Sequence, residues 1–325
     1  MTPNAAALAG GWFRRAVVFA CALAAVFLVL GMIATWRLVG RAELPEQAGW
    51  LLVLMLPLGT ASYFLRFARW HVLTRRLAPN LGLAPSLRIY AAGFAMGLTP
   101  GRVGEFCKFP LLREETGVPE ALAAPIFPLE RLTEAASFTA LAVVGGLFSH
   151  VALGRLGPGA IAAVVAVPAL AVVGVLLRFS RRRRETSTSR SWLRMLLDGA
   201  ATAAEARALA TAMACALLAR VCDTGLFWCA AAAAGLTLPL AGAALAWGLA
   251  GLAGGLLLLP GGVGAAEGSL VATATVFGAD PGVALAAALL ARSLSLWAWI
   301  PAGLYFAVRA AARIGAAELR GVARA

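Results

Sequence analysis

The charged side chains that interrupt otherwise apolar stretches are where this sequence places its chemistry. Thr99–Lys108 reads T-P-G-R-V-G-E-F-C-K, and Pro260–Glu267 repeats the theme as P-G-G-V-G-A-A-E. In a helical arm opening at the first break, Arg102, Glu105 and Lys108 follow at three-residue spacing and line one face with net positive charge. Thr99 suits an N-cap and Pro100 a first helical residue, so unpaired N–H groups from Gly101 onward face the break with a positive dipole end. Glu130 and Arg131 add a carboxylate and a guanidinium from the following proline-bearing segment. A cationic site of this kind suits a phosphate headgroup held bidentately by arginine. At the second break Gly261 and Gly262 offer N–H groups, followed by Glu267 and, further on, Arg292. Glu105, Glu130 and Glu267 are expected to carry protons or to balance the arginines when no ligand is bound.

Blander readings stand beside these. Arg131–Glu134 and Arg220–Asp223, each at i and i+3, also read as internal ion pairs that only hold helices together. Arg69 and Arg88 read as snorkelling interface residues. Lys108 falls near the cytoplasmic end of its arm. His71 and His150, the only histidines, look like loop or interface residues. Cys215, Cys222 and Cys229 recur every seven residues, a rise of about 10 Å per step, too far apart to share a metal. Neither a cofactor nor a metal site is expected.

Composition sets the medium in which this chemistry would work. Hydrophobic residues make up 61% of the 325, mean hydropathy is +0.85 and only 13% are charged. Soluble domains carry about 25% charged residues, so this chain is built for lipid. Its net charge of +13 comes from a basic set in which 27 of 28 residues are arginine. Many of them flank apolar segments, which fits the positive-inside rule and anionic lipid contact rather than nucleic acid. An ionisable group at membrane depth costs about 2.5–3.5 kcal/mol on insertion scales and marks a substrate or ion path. Non-helical backbone there survives only when protein or a water-filled cavity shelters it.

The elements that must position these residues can be read from the apolar runs. After Arg14-Arg15, an uncleaved anchor helix is expected over Ala16–Trp36 and a second span over Gly49–Leu65. The latter exits into a basic face with Arg66, Arg69, Arg75, Arg76 and Arg88. Ile89–Leu98 is too short to cross and reads as one arm of a re-entrant hairpin. Gly93, Gly97 and Gly101 at four-residue spacing allow close packing of its arms. Pro119 opens a span to Phe148 that Pro125 and Pro128 kink at the charges. Further spans are expected at Ala160–Leu177, 209–234 and Val283–Val308, with Arg178–Arg207 as a basic cytoplasmic loop. Leu236–Leu259 and Ala265–Gly278 form the second hairpin. The architecture read from this is an all-α polytopic membrane protein with six full spans and two re-entrant hairpins. It is one integral membrane domain over 1–325, with both termini cytoplasmic. Segments 49–150 and 207–308 form an inverted repeat, since Pro100 to Arg131 is 31 positions and Pro260 to Arg292 is 32. Broken helices in inverted repeats are a transporter design.

Four motifs in order carry a family resemblance: P-G-R-V-G-E at Pro100–Glu105, E-R-L at Glu130–Leu132, P-G-G-V-G-A-A-E at Pro260–Glu267 and L-L-A-R at Leu289–Arg292. With them the chain resembles the lysylphosphatidylglycerol synthase transmembrane family, also called the flippase-like domain family, over roughly residues 15–310. The resemblance implies a bacterial inner-membrane protein that moves or handles a lipid across leaflets, with relatives in hopanoid or glycolipid pathways. Ala265-Ala266 stands where many members carry a bulkier or basic residue before the glutamate. In the aminoacyl-lipid synthases the transferase is a separate soluble domain, and no aminoacyl transfer is expected here.

The leading expectation is therefore a flippase or transporter for an anionic phospholipid, a polyprenyl-phosphate or a related pathway lipid. It is not expected to be an enzyme. A lipid-linked glycosyltransferase would need acidic metal ligands on an outer loop, whereas Asp198, Asp223 and Asp280 are far apart in sequence. The other alternative is an accessory subunit that binds a pathway enzyme through Arg178–Arg207. With no Walker A motif, an ion gradient or downhill flow would supply the drive.

Overall fold

Nearly every segment of this chain is apolar enough to be helical, so proline and glycine decide where one helix ends and the next begins. The computed structural model describes residues 48–149, 190–256 and 260–322, with a few isolated positions besides. All regular elements among the described residues are helical. The first half comprises α1 (Ala48–Arg75), α2 (Leu83–Met96), a 3-10 helix (Pro100–Cys107), α3 (Lys108–Thr116), α4 (Glu120–Ala123) and α5 (Ile126–Leu147). The second comprises α6 (Arg190–Ala203), α7 (Ala206–Ala233), α8 (Leu240–Leu256), a 3-10 turn (Pro260–Gly262) and α9 (Ala265–Val276). It closes with α10 (Pro281–Ser295), a 3-10 turn (Trp297–Trp299) and α11 (Ile300–Val322). Three stretches are long and apolar enough to cross a membrane: Ala48–Arg75, Ala206–Ala233 and Pro281–Ala310. The expected spans Ala16–Trp36 and Ala160–Leu177, the arginines of 181–184, Cys21 and His150 lie outside the described residues.

Small residues set how closely the helices approach. α1 and α7 pack along their lengths, and α7 meets its neighbours with buried Ala208, Ala212, Ala216 and Ala219. A four-residue ridge of alanine lets backbones draw together where side-chain volume would hold them apart. α5 crosses α8 at glycine: a Cβ on Gly145 would strike the Leu245 backbone, and one on Gly248 the Ala142 backbone. α2 packs on α11 in the same way, with Gly303 against the Ala91 carbonyl. Around these crossings lie two large apolar clusters. Leu51 and Met55 of α1 join Phe227, Trp247 and Leu270 in one. Tyr63, Phe67 and Trp70 of the same helix join Leu112 and Ile126 in the other.

Four boundaries differ from the expectation, each for a physical reason. α1 runs on to Arg75 rather than ending at Leu65, because Phe67, Trp70 and Leu73 bury beyond that point and no glycine or proline intervenes. The segment after Pro119 is two helices, α4 and α5, so the prolines start a new helix instead of kinking the interior of one. Part of the expected loop 178–207 is α6, which packs on α4 with Gly199 against the Leu122 carbonyl. The last span breaks at Leu296 (φ −129°, ψ −61°), where Trp299 Nε1 donates to the Leu294 carbonyl at 3.1 Å.

Candidate functional site

The first break builds its own geometry from Thr99 outward. The Thr99 hydroxyl accepts the Gly104 N–H at 2.7 Å and donates to the Met96 carbonyl at 2.9 Å, bracing the turn from within. The Arg102 N–H donates to the Thr99 carbonyl at 2.9 Å. These two N–H groups are thereby used within the turn. Gly101 contributes backbone to this turn, and Arg102 takes φ +57°, the left-handed region. That conformation costs a non-glycine residue roughly 1–2 kcal/mol. The chain continues from this turn as a 3-10 helix, whose three residues per turn eclipse side chains at i and i+3. The three-residue spacing of Arg102, Glu105 and Lys108 therefore stacks them in one row.

Gly93 of α2 and its C-cap Gly97 let that row lie flat against the helix. The aliphatic stem of Lys108 lies over Gly93, and Glu105 lies against Gly97. Opposite the row, α5 supplies Glu130, Arg131 and Glu134 from its first turns, and α1 supplies Arg66 and Arg69. Lys108 Nζ is 3.1 Å from Glu130 and 3.6 Å from Glu105, and sits 4.7 Å above the Trp70 ring. Arg131 stands 2.6 Å from Glu134 and 3.5 Å from Glu105. Arg102 reaches Glu105 at 3.6 Å and Glu134 at 3.5 Å. Arg69 comes no nearer than 3.8 Å to Glu134 and 4.0 Å to Glu130, and its buried Nε has no hydrogen-bond partner.

These groups wall a cavity of about 40 Å³ that Tyr90, Gly97 and Leu98 also line, together with Gly261 and Leu296 from the second half. Five cations face it, Arg66, Arg69, Arg102, Lys108 and Arg131, against the three carboxylates Glu105, Glu130 and Glu134. Behind the cavity, Asp223 accepts from Ser62 at 2.6 Å and pairs with Arg66 at 2.7 Å and Arg220 at 3.2 Å, tying α1 to α7.

Residues 12–303 match the profile of the lysylphosphatidylglycerol synthase TM region. The chain belongs to that family. No curated protein sequence matches it. Family membership and the long apolar helices make it a membrane protein, of a kind linked to lipid or envelope biosynthesis.

Within this family member the expected site residues divide into two groups. Arg102, Glu105, Lys108, Glu130 and Arg131 come together at the cavity, and Gly261 joins them from the second break. Thr99 braces the turn. Glu267 and Arg292 form their own pair at 2.7 Å, and the Glu267 carboxylate accepts the Gly264 N–H at 2.7 Å. The Gly261 carbonyl accepts from Arg292, and Gly262 lies against the Gly254 backbone. Gly261 and Gly262 take φ +60° and +69°, which only glycine adopts at low cost.

Three residues that sequence spacing leaves aside, or places at the margin, are central to the cavity. Arg69 is 3% exposed and turned inward, not snorkelling. Lys108, at 2%, is as deep. Glu134 contacts three cations. A signal for the first does exist in the sequence, since Ser62, Arg66 and Arg69 fall at i, i+4 and i+7 on one face of an unbroken helix. Among the described residues no group of three His, Cys, Asp or Glu side chains is placed to hold a metal ion.

Proposed function

We propose that this protein is a lipid flippase of the bacterial inner membrane that carries an anionic lipid between leaflets. The single observation behind the reading is the buried cavity where residues of both breaks meet under five cationic side chains. Buried ion pairs are poor stabilisers, because desolvation offsets most of the Coulomb gain and apolar replacements are often as good. A fold that keeps such a cluster in an apolar protein has a use for the charge. Arg102 and Arg131 form the rim, with side chains 35% and 26% exposed, while Arg69 and Lys108 are nearly inaccessible. In the proposed cycle an anionic headgroup takes the place of Glu105 and Glu134 on the rim arginines while the tails stay in lipid. When the headgroup leaves, the carboxylates return and neutralise the site. The substrate is an anionic phospholipid, a polyprenyl-phosphate or a glycolipid or hopanoid-type pathway lipid, and no covalent step is involved.

The membrane arrangement belongs to the same proposal: multi-pass, six spans, two re-entrant hairpins related by an inverted repeat, both termini cytoplasmic. Reciprocal packing supports it. α2 lies on α11 while α5 lies on α8, so each hairpin's leading helix packs against a helix of the other half, and α1 pairs with α7. The Glu105–Arg131 contact has its counterpart in Glu267–Arg292. Alternating access would rock one half against the other about the shared cavity.

A second reading is an accessory subunit of a pathway enzyme complex. It draws on the fact that each carboxylate of the cluster already contacts a cation, as a purely structural network would. Proteoliposomes separate the two. With a fluorescent anionic lipid and an impermeant quencher, wild type should expose the inner-leaflet signal. Arg131→Ala should slow this by about tenfold or more, as expected for losing one bidentate contact worth at least ~1.4 kcal/mol, and Glu105→Gln should also be slower. Wild type no faster than empty liposomes for any anionic lipid would favour the accessory subunit.

A further inference from the structure

The flippase reading leaves open what charge the headgroup carries, and the charge balance of the cavity bears on this. Arg66, Arg69, Arg102, Lys108 and Arg131 face it, so its wall holds five positive groups. Glu105, Glu130 and Glu134 are the carboxylates that oppose them, leaving an excess of two positive charges. Extending the count outward does not change the excess. Asp223 pairs with Arg66 but also with Arg220, so it adds one charge of each sign. Arg292 and Glu267, the next pair, cancel each other.

That excess is also located. Arg69 is the cation with the poorest protein partners: its nearest carboxylate oxygens are 3.8 and 4.0 Å away, beyond hydrogen-bond reach. Its Nε is buried without a hydrogen bond while its side chain is 4% exposed. An arginine held in this way by the protein alone is incompletely satisfied. Arg102, on the rim, has only contacts of 3.5 and 3.6 Å and sits on a left-handed turn. Arg66 and Arg131 also keep a buried Nε without a partner, but each has a carboxylate within 2.7 Å. That leaves Arg69 as the deep guanidinium and Arg102 as the movable one without a close counter-charge.

We infer that this cavity is built for a dianionic phosphate, a terminal phosphomonoester on a lipid or free phosphate itself, in preference to a singly charged phosphodiester headgroup. The inference rests on the flippase reading of the same cavity and deepens it. A phosphomonoester near pH 8 is above its second pKa of about 6 and carries two charges and three terminal oxygens. It therefore neutralises the excess and satisfies both guanidiniums. A diester carries one charge and two free oxygens and leaves one of them unmatched.

Isothermal titration tests this on the full chain in phosphatidylcholine nanodiscs at about pH 8, where the monoester is a dianion. The probes are short-chain phosphatidic acid, short-chain phosphatidylglycerol and inorganic phosphate. Phosphatidic acid should bind about tenfold tighter than phosphatidylglycerol, one additional charge near a partly buried cation. Arg69→Gln, which removes one excess charge, should collapse that preference. If that variant does not fold, Arg102→Gln on the exposed rim should reduce the preference in the same direction. Inorganic phosphate equal to phosphatidic acid would identify the free ion as the ligand, whereas a much weaker phosphate would identify the lipid. Equal or tighter binding of phosphatidylglycerol, no binding of any probe, or a preference that survives in folded variants at both arginines would overturn the inference. Selective binding of phosphatidic acid without translocation would instead sink the flippase reading and leave the dianion site standing. Translocation of phosphatidylglycerol without preference would do the reverse.

Discussion

Lys108 is the chain's one lysine, and it is almost entirely buried between two carboxylates and an indole ring. Removing one partner of such a cluster leaves uncompensated buried charge, at about 3–5 kcal/mol. Lys108→Met should therefore lower the melting temperature in detergent sharply. Adding Glu130→Gln should recover part of the loss, because the two residues are in contact and their effects do not add. Arg102 behaves differently. Its contacts are long and its side chain a third exposed, so they hold little stability. Arg102→Gly also removes a left-handed arginine and should leave thermal stability equal or raise it by about 1 kcal/mol, while translocation falls. A variant that loses stability and transport together would make Arg102 a structural residue. Thr99→Val, which deletes both braces of the turn, should cost about 1–3 kcal/mol by the same thermal assay.

At the scale of elements, close helix contact is what brings the charges together. Gly93→Ala would push a methyl into the Lys108 stem at three carbon atoms, and Gly97→Ala would meet the Glu105 carboxylate at 2.8 Å. Either should disturb the charge row without touching a charge, slowing translocation more than it lowers stability. Gly145→Ala lies away from the row at the α5–α8 crossing, where the obstacle is backbone. It should instead cost about 1–3 kcal/mol of stability by overpacking, read as a lower melting temperature. Much of this layout is legible in the sequence. Pro-Gly pairs mark both breaks, and glycines at four-residue spacing mark the packed arm, because these residue types have few other uses inside apolar helices. The continuation of α1 past Leu65 is less legible. Arg66 and Arg69 look like the end of a span, and only the neighbours that bury them, from α5 and α7, show them to be interior. The break at Leu296 is announced only indirectly, by Pro301, which lacks the N–H a continuous helix would need there and sits in the first turn of α11. Its position also depends on the packing around Trp297 and Trp299.

On the scale of the whole molecule, the site is shared between two halves of the chain, so sequence spacing finds its members but not their grouping. Glu267 and Arg292 look equivalent to Glu105 and Arg131 in sequence, yet they stand apart as a separate pair, and the second half contributes Gly261 and Leu296 to the cavity instead. Glu134 and Arg69 read as local features and prove central, since their contacts join α1, α5 and the first break. If the cavity holds the headgroup of a lipid in transit, transport must depend on its buried cations and not on charge elsewhere. The most direct measurement compares translocation of a phosphomonoester lipid in proteoliposomes for wild type, Arg69→Gln and Arg113→Gln. Arg113 pairs with Glu120 on the exposed surface and serves as a charge-matched control. Wild type and Arg113→Gln should transport the lipid, and folded Arg69→Gln should transport little. Equal transport by all three would contradict a headgroup site at this cavity.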